Sequence, residues 1–237
     1  VNRALLILVL LATGCVSKPV IAPEIRKETH HVSLARDKIA VDFYHRPDGK
    51  ARPIAVIVHG FLANKGRMAH WGLVLAREGF IVAVPNTPTY ANDERNTAAI
   101  VALVEDGRAG QWPIAAVPDG RAVLVGFSRG GFETILAAAE LGDRIDAWIG
   151  LDPVDRNGKG KAAATKVRAP GLALLADPQP LNANGNARPM LDAYAGPLEV
   201  IAVPGAGHLD GESPRRGGKF AEFEESVVKF LRQVFEL

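Results

Sequence analysis

Only one of the 237 residues is cysteine, Cys15, so the chain forms no internal disulfide and offers no thiolate cluster to a metal. Charge of neither sign dominates. The 28 Lys and Arg stand against 26 Asp and Glu, and a net charge of +2 gives no basis for nucleic-acid binding. No pair among the six histidines has a metal-ligand spacing, so neither a metal nor a cofactor is expected. No internal repeat is visible, and no apolar run approaches the roughly 20 residues that a membrane-spanning helix needs. What is present, 48% hydrophobic and 23% charged residues, suffices for one substantial core in a single domain.

The first residues have a logic of their own. Asn2 and Arg3 are polar and positive, Ala4 to Ala12 run apolar without a charge, and small residues follow at Thr13-Gly14-Cys15. This order reads as a secretory signal peptide over residues 1–14. Leu11-Ala12-Thr13-Gly14-Cys15 resembles a bacterial lipobox, in which the cysteine is acylated and becomes the mature N-terminus, with Ala12 where leucine is usual. The expectation is a protein of the bacterial cell envelope, held at a membrane on its periplasmic or surface side by lipid on Cys15. Residues 15–27, with Pro19 and Pro23, then form a tether, and 28–237 the folded domain. A plain signal peptide that happens to end near a cysteine is the simpler alternative.

Beyond the tether, short β-rich runs alternate with longer amphipathic stretches, the pattern of a mostly parallel sheet with helices on both faces. His31–Leu34 and Ile39–Tyr44 read as an opening antiparallel pair. In the second of these, Ala40, Asp42 and Tyr44 alternate against Val41 and Phe43 as in a half-buried strand. Pro53–His59, Phe80–Val84, Arg121–Gly126, Ala147–Leu151, Gly171–Ala176 and Leu198–Val203 complete eight strands. Helices are expected over about Met68–Glu78, Asn92–Val104, Arg129–Leu141 and Gly218–Phe235. The last carries Phe220, Phe223, Val227, Phe230, Leu231 and Val234 at helical spacing, a core stripe. Arg156 to Arg168 holds five basic and no acidic residues; it reads as a solvated loop, or alternatively as a contact for anionic lipid or an acidic substrate.

One pentapeptide carries the chemistry. Gly126-Phe127-Ser128-Arg129-Gly130 has the G-x-S-x-G spacing of a nucleophile elbow, between an apolar strand and a helical stretch. A sharp turn there lifts the serine oxygen off the sheet edge, and small flanking residues let the turn pass close to its neighbours. The helix N-terminus that follows points backbone N–H groups at developing negative charge. His59-Gly60-Phe61 ends the third strand, where a second such donor is drawn, so the N–H groups of Phe61 and Arg129 are the candidate oxyanion hole. His59 itself reads as structural. Gly205-Ala206-Gly207-His208 follows the last strand, where the base belongs in the chain order Ser, acid, His. His30, His31 and His45 fall in the opening strands and His70 in a helix, which leaves His208. For the acid, the residues leave two choices, Asp152 after the sixth strand and Asp177 after the seventh. Both precede proline, which favours extended backbone at each.

With these residues the chain resembles the chlorophyllase and dienelactone-hydrolase-like branch of the α/β-hydrolase superfamily. The likeness lies in His59-Gly60-Phe61-Leu62, Gly79-Phe80-Ile81-Val82, Gly126 to Gly131, Asp152-Pro153-Val154-Asp155 and Gly207-His208-Leu209-Asp210, and it spans about Val41 to Phe235. Phe127 departs from it, standing where that group commonly has histidine. The resemblance implies an eight-stranded α/β-hydrolase fold and ester chemistry on a small-molecule substrate. It also favours Asp152 as the acid, since chlorophyllase-like sequences carry theirs in the Asp-Pro-Val segment. Asp155 and Asp210 then read as solvated or loop-fixing carboxylates. The segment between Val154 and Pro170 is too short for a large lid, so an open site is expected, with Phe61 and Phe127 beside an apolar ester. A cutinase-like polyester hydrolase and a non-turnover binding lipoprotein are the competing readings. Oligomeric state is not legible.

Overall fold

The computed structural model describes residues 24–237; the signal and Cys15 anchor lie outside the described residues. An antiparallel pair, β1 (Arg26–Leu34) and β2 (Asp37–His45), opens the fold. There follow β3 (Ala51–Val58), α1 (Ala69–Arg77), β4 (Ile81–Pro85), α2 (Asp93–Arg108), β5 (Val117–Phe127), α3 (Arg129–Leu141) and β6 (Ala147–Leu151). The chain closes with α4 (Lys159–Ala164), β7 (Gly171–Leu175), α5 (Arg188–Asp192), β8 (Leu198–Ala202) and α6 (Phe220–Phe235). All eight strands form one sheet in the order β1-β2-β4-β3-β5-β6-β7-β8. Pairing is antiparallel at β1–β2 and β2–β4 and parallel from β4 to β8.

Two apolar layers hold the sheet between helices. Along β3, Ile54, Val56 and Val58 pack toward Ile100, Leu103 and Ile135 of α2 and α3, while Ala55 and Ile57 pack toward Leu75 and Phe223 of α1 and α6. All residues of β4 and β6 are buried, as central parallel strands require. In α6, Phe220, Phe223, Val227, Phe230 and Leu231 face the core as expected; Phe235 takes the last core position and Val234 is half-buried.

Several boundaries differ from the sequence reading. Residues 26 and 27 of the expected tether already belong to β1, where Lys27 pairs with Asp42 at 2.8 Å. β2 is not half-buried: from Val41 onward both of its faces are covered, and the buried Asp42 is neutralised by Lys27 and Lys65. α2 continues to Arg108, with Gly107 in its last turn giving space to Trp112, whose ring lies 2.4 Å from where a Cβ would stand. The basic segment is not merely a loop. It contains α4, whose second and third residues, Gly160 and Lys161, donate their N–H groups to the buried Asp155 carboxylate.

The chain order sets where a ligand can sit. From β3 the chain moves to β4 on one side and then to β5 on the other, so a crevice opens beyond the carboxyl ends of β3 and β5. Gly60 and Phe61 follow β3, and Ser128 follows β5. Among the described residues no segment forms a lid domain over these ends.

Candidate active site

β5 ends at Phe127 and α3 begins at Arg129, which leaves Ser128 alone in the turn with φ 54° and ψ −121°. That backbone is strained for a residue with a side chain. It is held by three backbone hydrogen bonds: Ser128 N–H donates to Leu151 O at 3.0 Å, and Ser128 O accepts from Gly131 and Val154 N–H at 3.0 and 3.1 Å. The turn closes only because its flanks are glycine. A Cβ at Gly126 would stand 2.3 Å from Gly130 O, and one at Gly130 would stand 2.3 Å from Val58 O.

The structure brings Ser128, His208 and Asp152 together. Ser128 Oγ lies 2.8 Å from His208 Nε2, and His208 Nδ1 lies 2.5 Å from Asp152 Oδ2. A carboxylate only accepts, so Nδ1 carries the ring proton, and Nε2 is free to accept from the serine hydroxyl. Asp152 is buried and accepts further from Ala176 N–H at 3.1 Å and Asn182 Nδ2 at 3.0 Å. Its backbone is not extended, as a residue before proline would suggest, but left-handed at φ 43°. Asp tolerates that region, and the turn carries its carboxylate under the imidazole. Asp177 is exposed and holds Gly205 N–H at 3.0 Å, bracing the loop before His208 without touching the ring.

Phe127 lies at the cleft beside Ser128, as the sequence suggested, but as its buried floor and not as an exposed wall. It is 2% exposed, and its ring packs 4.8 Å from that of His208, so it also steadies the imidazole. Asp210 and Asp155 are buried and loop-fixing, not solvated; Asp210 accepts from Gly207 N–H at 2.9 Å. His59 is buried and structural. Burial pushes its imidazole below 6.5, so the neutral ring donates from Nδ1 to Gly60 O at 2.8 Å and accepts from Thr87 N–H at 3.2 Å. His30, His31 and His45 lie in β1 and β2 and His70 in α1, away from the serine.

Phe61 and Arg129 flank Ser128 from the ends of β3 and β5, and among the described residues neither backbone N–H donates to a protein acceptor. Behind them lies a network that sequence reasoning missed. The buried Arg129 guanidinium donates to Glu133 at 2.9 Å, to Asp93 at 2.7 Å and to Tyr90 O, and it packs 5.5 Å from the Phe61 ring. Asn96 Nδ2 adds a bond to Glu133 at 2.8 Å and another to Thr89 O at 2.9 Å. Burial, which outweighs the Arg129 and Asn96 contacts, pushes the Glu133 carboxyl up to about 7. The one available signal was Arg129 and Glu133 at helical i, i+4 spacing.

A cleft of about 450 Å³ opens on Ser128 and His208, with Phe61, Leu62, Leu181 and Leu209 as its apolar walls and Arg67 at one end. A larger groove of about 680 Å³ between α2, α3 and α4 contains none of Ser128, His208 or Asp152.

Fold and strand order are those of the α/β hydrolases. A dienelactone hydrolase from Anabaena variabilis superposes with a TM-score of 0.72 at 18% identity, covering 89% of this chain and 98% of that one. Est1E from Butyrivibrio proteoclasticus does so with 0.69 at 16% identity, covering 88% and 99%. In sequence, chlorophyllase-2 of Arabidopsis thaliana is 30% identical over an alignment of 129 residues that covers 49% of this chain and 40% of the plant protein. No protein-family model matches the chain. The sequence match supports the resemblance to chlorophyllase-like sequences, and the superpositions show a fold shared with the dienelactone hydrolase and the esterase.

Proposed function

We propose that the chain is a serine hydrolase that cleaves a carboxylic ester, with Ser128 as nucleophile, His208 as general base and Asp152 as the acid that orients it. The observation that carries this reading is the unbroken hydrogen-bond line from Ser128 Oγ through both ring nitrogens of His208 to Asp152. As Oγ attacks the ester carbonyl, its proton passes to His208 Nε2, and Asp152 stabilises the imidazolium. The carbonyl oxygen takes up the negative charge and is held by the N–H groups of Phe61 and Arg129, each such donor contributing about 3 to 4 kcal/mol. His208 then protonates the departing alkoxide. Water, activated by the same imidazole, releases the acid and restores Ser128.

The apolar walls of the cleft and its open mouth suit an ester with a bulky or extended apolar part. That openness also favours the second reading, a cutinase-like hydrolase acting on a polyester. The names of the relatives support hydrolysis and do not choose the ester.

The test is a fluorophosphonate probe together with p-nitrophenyl esters from acetate to palmitate. Wild type is labelled and turns over, and Ser128→Ala loses both. Labelling of the alanine variant at the wild-type level would place the nucleophile elsewhere. The anchor is part of the same proposal, motivated by Ala12-Thr13-Gly14-Cys15. Mass spectrometry of the mature protein should find a diacylglyceryl group on residue 15, and a mature N-terminus at any other residue removes the anchor.

A further inference from the structure

Seven large hydrophobic side chains are exposed among the described residues; three of them rim one opening and a fourth adjoins it. Phe61, Leu62 and Leu181 rim the cleft over Ser128, and Tyr90 continues the patch on the far side of Phe61 and Leu62. These four are between 57% and 68% exposed. The other three are scattered: Val117 at the opposite end of β5, Val200 on the edge strand β8, and Leu237 at the last residue. Scattered single residues need no explanation, whereas a contiguous apolar patch marks an interaction site. Tyr90 lies outside the cleft over the serine, so the patch is wider than the cleft that a single ester would fill.

The charges that flank this patch have one prevailing sign. Beside Tyr90, the buried Asp93 is neutralised by Arg129, and Arg156 and Lys159 stand 3.7 Å from it with about half of each side chain in solvent. Glu94 is the exposed carboxylate there. At the other end, the buried Glu212 takes both Arg67, at 2.5 Å, and Arg215, at 3.5 Å, and both cations remain partly exposed. Asp177 is the exposed carboxylate nearest Leu181 in the chain. Four cations thus face solvent on the two flanks against two exposed carboxylates, with the buried Glu212 offsetting one charge of the Arg67 and Arg215 pair.

We propose that the folded domain docks mouth-down on an anionic phospholipid surface, with Phe61, Leu62, Tyr90 and Leu181 entering the acyl boundary and Arg67, Arg156, Lys159 and Arg215 meeting the headgroups. Apolar side chains inside a cationic rim match the two layers of such a surface, acyl chains beneath phosphate. Docking needs no serine chemistry, so Ser128→Ala docks as wild type does, and failure of the hydrolase reading leaves this one standing.

The experiment places a tryptophan on each side of the cleft, Tyr90→Trp and Leu181→Trp, in the full chain. Vesicles contain phosphatidylcholine alone or with phosphatidylglycerol, both with brominated acyl chains. The native Trp71, Trp112 and Trp148 are buried and supply a constant background. Val117→Trp, roughly 30 Å away at the other end of β5, is the control for attachment through the N-terminus. Emission of the 90 and 181 variants should shift to the blue and be quenched by the anionic vesicles, far less by the neutral ones, with residue 117 unaffected in both. The Arg156→Glu, Lys159→Glu double variant should weaken the vesicle affinity read at residue 90 roughly tenfold or more. Absence of quenching at 90 and 181, equal quenching at 117, or equal quenching by neutral vesicles overturns the proposal.

Discussion

The two flanks of Ser128 both bury carboxylates and handle them in opposite ways. Toward β6, β7 and β8, Asp152 has no Lys or Arg partner among the described residues; its neighbours are an imidazole, a backbone N–H and the Asn182 amide. Toward β3 and α2, Asp93 and Glu133 are locked to the Arg129 guanidinium. A carboxylate without a fixed cation keeps its full attraction for an imidazolium formed during reaction. One paired with arginine has its charge already spent, and what it then fixes is geometry. On the proposed mechanism the difference divides the labour: one flank would handle the proton, and the other would hold the backbone donors still.

The sharpest way to break this comparison is to neutralise the carboxylate on the first flank. Asp152→Asn should lower kcat by on the order of 10⁴, because the amide accommodates the wrong imidazole tautomer. Asp177→Asn, one strand over, should stay within roughly tenfold of wild type, since Asp177 braces Gly205 and does not reach His208. Steady-state kinetics decides between them, on variants whose circular dichroism and urea midpoints show that they fold. The reverse pattern would move the acid to Asp177.

What the sequence makes legible on these flanks follows from how local each signal is. Ser128 sits in a contiguous motif between a buried strand and a helix, and α3 and β6 run over Arg129–Leu141 and Ala147–Leu151, as the pattern predicts. His208 follows by elimination among six histidines and from chain order. Asp152 narrows only to one of two Asp-Pro pairs, because what selects it is a left-handed turn that no dipeptide rule announces. Asn182, which lies 30 residues along the chain from Asp152, comes from the β7–β8 connection and leaves no trace in periodicity. The Arg129 network is hidden for the same reason: its partners Tyr90 and Asp93 are 39 and 36 residues away. Phe127 borders the cleft as the sequence suggests, but its contact with the His208 ring is hidden, because hydrophobicity says that a ring is buried and not which ring it packs against.

On the second flank the expected loss is smaller and of another kind. Arg129→Met removes the three contacts that tie the start of α3 to Tyr90, Asp93 and Glu133, and loosens the support beneath Phe61. We expect kcat to fall about 10- to 100-fold through misplaced oxyanion donors, with KM nearly unchanged. Affinity for a boronic acid, which imitates the tetrahedral state, should fall in parallel. Lysine should rescue poorly, because a single ammonium cannot reproduce the planar fork. The shape of the pH–rate profile should not move, since the proposed mechanism assigns proton transfer to the other flank. A changed profile, or a loss confined to KM, would merge the two flanks into one unit.

The smallest effect concerns stability and tests whether Glu133 is a static part of the scaffold. Its carboxyl titrates near 7 in the folded protein against about 4.5 when exposed, because burial outweighs the bonds from Asn96 and Arg129. The folded state therefore binds this proton more tightly than the unfolded chain does. Linkage gives the sign: the contribution of Glu133 to stability is fully present below pH about 4.5 and is lost as the pH rises to about 7. The amount is on the order of 1 to 3 kcal/mol, taken from the size of the shift. Glu133→Gln keeps an acceptor for Arg129 and Asn96 and removes the titration, so its stability relative to wild type should improve steadily across that window. All other carboxylates contribute equally to both proteins, so the difference between their urea midpoints at matched pH isolates this one. Midpoint curves that run parallel from pH 4.5 to 7 would mean that Glu133 stays ionised beside Arg129. Both flanks would then hold their carboxylates charged at every working pH, and the contrast between them would rest on Arg129 alone.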